Sequence, residues 1–122
     1  MNDQISMMYS AWCFFFQENR PYLGEEKPKI PLGLVLFSER DKCVKIYQLN
    51  FPEKYKLFAD FTFKKIQNWI NNKILPIKFD EKENKFFVSS NEDGTHFDPW
   101  TEEFWEQAGK LLNHNIRIKK FQ

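Results

Sequence analysis

Residues 50–73, NFPEKYKLFADFTFKKIQNWINNK, decide the fold class. Tyr55, Phe58, Phe61 or Thr62, Ile66, Trp69 and Ile70 recur at the spacing of one helical face, while Lys54, Lys56, Lys64, Lys65 and Asn68 fall elsewhere on the cylinder. Asn50 is positioned to cap this first helix, Pro52 suits its first turn, and Glu53 sits near the positive dipole end. Asn71 and Asn72 close the helix, and Pro76 prevents it from continuing.

Upstream of this helix the pattern changes to that of strands. Residues 7–17 place Met8, Ser10, Trp12, Phe14 and Phe16 on one face and Tyr9, Ala11, Cys13 and Phe15 on the other. Both faces are mainly apolar, so the strand is expected in the middle of a sheet or covered on two sides. Residues 18–29 carry two prolines, a glycine and six charges, the make-up of a long loop. Residues 30–38 and 43–49 then read as an antiparallel hairpin, with Pro31 at a strand start or edge.

Downstream, residues 74–79 and 85–90 read as two short strands around a charged turn, and residues 91–98 as a polar loop. Asp98 as N-cap and Pro99 at the first helical position predict a second helix, in which Thr101, Phe104, Trp105, Ala108, Leu111 and Leu112 form the apolar stripe. Residues 116–121 alternate as a last, lysine-protected edge strand. The order β-β-β-α-β-β-α-β predicts a single α+β domain over residues 1–122, with a mainly antiparallel, mixed sheet of five to six strands. Two amphipathic helices are expected to pack on one face of that sheet.

Composition narrows the function classes. At 122 residues, 42% hydrophobic and 18% aromatic, the chain has too much burial material for a disordered protein. Its mean hydropathy of -0.63 and its short apolar runs predict no membrane span. Eighteen basic against 17 acidic residues leave a net charge of +1, so any charged partner must be met by a local patch. Two cysteines, both inside apolar runs, build no disulfide framework and favour a reducing, cytoplasmic location.

Three functional readings follow. The preferred one is a non-enzymatic protein-interaction module, an inhibitor, immunity-type protein or accessory subunit without a cofactor, binding a protein partner or a second copy. Twenty-two aromatics exceed what a core of this size readily absorbs. Residues 91–106 hold six acids and neither Lys nor Arg, whereas residues 107–122 hold four bases and no acid. Some of Tyr22, Phe51, Phe97, Trp100 and Phe121 are expected to stay partly exposed, Tyr22, Phe97 and Trp100 as partner-binding rings with Glu102, Glu103 and Glu106 as the charged rim.

The second reading is single-stranded nucleic-acid binding, in which Lys54, Lys56, Lys64, Lys65, Arg117, Lys119 and Lys120 track phosphates beside stacking rings. It gains if the helix lysines and the last strand share one surface. The third is a metal-dependent hydrolase held by Asp93, His96 and Asp98, where oxygen ligands and an imidazole lie close in sequence. No nucleophile elbow, zinc-protease helix, paired thiol motif or phosphate loop occurs, and mid-strand Cys13 and Cys43 lack the setting of an activated thiol.

Overall fold

The computed structural model describes residues 9–18, 27–89, 94–113 and 115–121. The fold is mixed α+β, built on an antiparallel sheet of β1 (Ser10–Phe16), β2 (Ile30–Ser38), β3 (Cys43–Gln48) and β8 (Ile116–Lys120), in the order β3-β2-β1-β8. β1 lies inside the sheet, as its two apolar faces require, with Trp12 opposite Val35 on one side and Lys120 on the other. The expected single sheet of five to six strands is not what forms. Residues 74–80 divide into β4 (Ile74–Leu75) and β5 (Ile77–Asp80), and each pairs elsewhere: β4 with β7 (Thr95–His96), β5 with β6 (Lys85–Val88). Pro76, between them, has no N–H to donate, so one ladder cannot run through.

A β-bulge shapes the core. Phe14 faces Gly33 but Phe15 faces Pro31, which leaves Leu32 as the extra residue of β2. Leu32 is buried with Ala59 and Ile116. At Gly33 the chain passes so close to Phe63 that a Cβ would strike its ring and would lie 2.8 Å from the Tyr47 carbonyl oxygen.

The first helix, α1 (Lys56–Asn72), begins later than its sequence signals suggest. A short 3-10 turn, Glu53–Tyr55, precedes it, with the Tyr55 N–H bonded to the Pro52 carbonyl at 3.0 Å, so Asn50 caps nothing. The helix ends where Lys73 turns left-handed, at φ 56°, and returns its N–H to the Trp69 carbonyl. The second, α2 (Glu102–Gly109), is capped by Thr101 rather than Asp98. Residues 98–101 make a turn of their own, closed by Thr101 N–H and hydroxyl bonds to the Asp98 carbonyl. The Asp98 carboxylate goes to His96 instead.

Trp12, Phe14, Val35 and Phe37 share one face of the sheet by register and form a single buried cluster with Ile66 and Trp69 of α1 and Phe104, Trp105 and Ala108 of α2. Trp105 is its hub: fully buried, its ring centroid lies 4.8 Å from Phe104, 6.2 Å from Phe14 and 6.3 Å from Phe37. Its indole N–H donates to the Pro99 carbonyl at 2.7 Å. No helix among the described residues is long and apolar enough to cross a membrane.

Candidate functional site

The surplus of rings exists, and only partly where the sequence reading places it: Phe121 is 61% exposed, as expected. Phe97 is buried, its ring 5.6 Å from that of Phe86, because β7 carries the chain back over β4 and the Phe97 N–H bonds the Lys73 carbonyl. Trp100 is half-buried beneath the Lys73 ammonium, 4.9 Å from its ring centroid. Glu102 is paired with Lys120 at 3.2 Å, and Glu103 and Glu106 are exposed. Tyr22 lies outside the described residues. The expected patch of Phe97, Trp100 and three glutamates therefore does not assemble as a continuous aromatic surface.

Open rings instead occupy α1 and the β5–β6 hairpin, where Phe79 and Phe87 are about half exposed. On α1, Leu57 is 83% and Phe61 65% exposed, although Ala59, Thr62, Ile66 and Trp69 of the same helix are buried. The geometry of a helix explains this: Thr62 lies about 40° from Ile66 around the axis, whereas Phe61 lies about 140° away and faces outward. The choice between Phe61 and Thr62 that the apolar spacing leaves open is settled by that angle. Leu57, one turn earlier than Phe61, was not singled out by the inward stripe.

Around these two side chains lysines outnumber acids, with Glu53 and Asp60 exposed among them. Lys54, Lys56 and Lys64 are exposed, and Lys65 lies across both Phe61 and Trp69, with Nζ 5.3 and 5.8 Å from the ring centroids. A shallow groove of about 670 Å³ is lined by Phe61, Lys64, Lys65, Gln67, Asn68 and Asn71. At Asn68 it adjoins a second depression of about 530 Å³, which reaches Asn72, Ile74 and Pro76. Two amide pairs edge the groove, Gln67 Nε2 to Asn71 Oδ1 at 3.1 Å and Asn72 Nδ2 to Asn68 Oδ1 at 3.2 Å. The result is an apolar, lysine-bordered and amide-edged strip on the outside of a helix.

The basic residues of the nucleic-acid reading do not converge. Arg117 and Lys119 stand opposite Phe15 and Cys13 in the register, on the sheet face away from Ile116, which is the one packed with Ala59 of α1. Lys120 is committed to Glu102. Lys54 and the three lysines of α1 remain as a patch without β8.

Of the hydrolase constellation, His96 Nε2 and Asp98 Oδ1 lie 3.1 Å apart on the surface, and Asp93 is outside the described residues. Among the described residues no three His, Cys, Asp or Glu side chains are grouped as a metal would need. Both thiols are free. Burial pushes the Cys13 thiol above its ordinary range, the opposite of what an activated nucleophile needs. Cys43 Sγ instead lies 3.6 Å from the Tyr9 hydroxyl, and the contact with Cys43 is the main cause holding the Tyr9 phenol above its usual pKa. Compared with known protein families, with curated proteins and with solved structures, the chain matches none.

Proposed function

We propose that this chain is a non-enzymatic protein-interaction module, of the inhibitor, immunity-type or accessory-subunit kind, which docks through the outward face of α1. The observation that carries this reading is the exposure of Leu57 and Phe61, adjacent at i and i+4 on a helix whose other face is fully used in the core. Burying two such side chains in a partner is worth about 1.5–3 kcal/mol each, which is the scale of an interface centre. The lysines around them form the charged rim that steers association and gives specificity. A cytoplasmic setting accords with Cys13 and Cys43 both being free.

Photo-crosslinking in the organism that makes the protein tests the reading. A benzophenone side chain is introduced at position 57, at position 61, and as a control at Lys82, which is exposed in the turn between β5 and β6. The same protein, identified by mass spectrometry, is expected at positions 57 and 61 and missing at 82. Crosslinks to nucleic acid, or equal labelling at all three positions, would overturn the docking assignment.

A further inference from the structure

The order of side chains along α1 constrains what covers it. Leu57, Phe61, Lys64, Asn68 and Asn71 follow one another in alternating steps of four and three, the spacing of a coiled-coil seam. At 1.5 Å rise per residue the seam is about 21 Å long, a length that a partner helix of about 15 residues would match. It is apolar at Leu57 and Phe61, with the exposed Asp60 on its flank, cationic at Lys64 and Lys65, and amide-lined toward Asn71, where the groove continues past Asn68 to Ile74.

We infer that the occupant is an acidic amphipathic α-helix of a partner protein, laid along α1 with its apolar positions over Leu57 and Phe61 and its carboxylates against Lys64 and Lys65. This rests on the docking reading and adds the class of partner. An added β-strand is disfavoured because the backbone groups of a helix interior are already paired with one another and offer no ladder. A second α1 fits poorly. Laid parallel, it opposes Lys64 and Lys65 to themselves; laid antiparallel along the whole seam, it sets Leu57 against Asn71. A nucleic-acid strand needs successive stacking platforms. Leu57, the more exposed side chain, is not a ring, and Phe58 is engaged with Phe16 at 5.0 Å.

The test uses a fluorescein-labelled synthetic helix of about 18 residues, enough to cover the seam, with Leu at the seam positions and Glu on both flanks. Controls are the same composition in scrambled order, a version with Lys in place of Glu, and an oligothymidylate of similar length. Anisotropy gives affinity, and amide resonances map the contact on the full chain.

Saturable binding of the acidic helix is expected, with shifts at Leu57, Phe61, Lys64 and Asn68. Lys64→Glu with Lys65→Glu should weaken it by at least about tenfold and transfer the preference to the Lys-bearing helix. Phe61→Ser should weaken binding of both peptides. Equal affinity for the scrambled peptide, indifference to charge reversal, or shifts caused by the oligonucleotide alone would overturn the inference. If non-acidic peptides shift Leu57 and Phe61 just as well, the partner class fails while docking on α1 stands. If no probe shifts α1 and crosslinking from positions 57 and 61 also returns nothing, both fail.

Discussion

Two tryptophans at the centre of the core make opposite demands on a Trp→Phe substitution. Trp105 is fully buried and donates its indole N–H to the Pro99 carbonyl at 2.7 Å. Trp12 is also buried, but its Nε1 has no hydrogen-bond partner among the described residues. Trp105→Phe leaves the Pro99 carbonyl without its donor, at about 1–3 kcal/mol, and removes packed atoms from a ring in contact with three others, at about 1–2 kcal/mol more. Trp12→Phe loses similar volume but also removes an unpaired donor whose desolvation costs about 1–3 kcal/mol, so the two effects offset.

Trp105→Phe is therefore expected to destabilise by about 2–5 kcal/mol and Trp12→Phe by about 1 kcal/mol or less. Urea unfolding followed by far-ultraviolet circular dichroism measures both, and unchanged slopes would license direct comparison of midpoints. Equal losses, within about 0.5 kcal/mol of each other, would refute the reasoning, and so would a larger loss for Trp12.

Three further outcomes are expected. Gly33→Ala should destabilise by about 1–3 kcal/mol in the same unfolding assay, because its Cβ meets the Phe63 ring on one side and the immobile Tyr47 carbonyl on the other. Lys42→Gly should stabilise by about 0.5–1 kcal/mol, since Lys42 holds φ 51° in the turn between β2 and β3, where only glycine avoids a steric cost. The raised Cys13 thiol disfavours the thiolate in the folded state; the stability this provides is complete below the ordinary thiol pKa and is lost as pH rises through the raised one. Wild type should thus lose stability between neutral and alkaline pH more steeply than Cys13→Ala, and an identical pH profile for the two would contradict the assignment.

The elements were largely legible because their patterns are local. The apolar faces of β1 required neighbours on both sides, and both helices appear where their spacing predicts, although Phe58 stays 40% exposed and α2 ends at Gly109, before Leu111 and Leu112 of its stripe. What the pattern missed depends on chain reversals. Pro76 marks a break within residues 74–80, but nothing there names the two partners that β4 and β5 take, and that division removes two strands from the main sheet. Thr101 takes the cap from Asp98 because the turn at residues 98–101, closed on the Asp98 carbonyl, moves the helix start to Thr101, while the Asp98 carboxylate is held by His96, a choice made in three dimensions.

The candidate surface was half legible. An excess of aromatic residues was countable, but its position was not: Phe97 enters the core because a two-residue strand returns it there, whereas Phe61 leaves it through a helical angle that sequence spacing alone could have resolved. The basic residues separate for a simpler reason, since alternate residues of β8 point to opposite faces and only one face meets α1.

The double substitution Leu57→Ser with Phe61→Ser separates folding from recognition in one experiment. Both side chains are exposed, so unfolding stability is expected to stay within about 0.5 kcal/mol of wild type while crosslinking to the partner from a probe at Asn68 disappears. Partner capture that persists at wild-type strength, or a loss of several kcal/mol in stability, would show that these two side chains serve the fold or nothing, and not a second macromolecule.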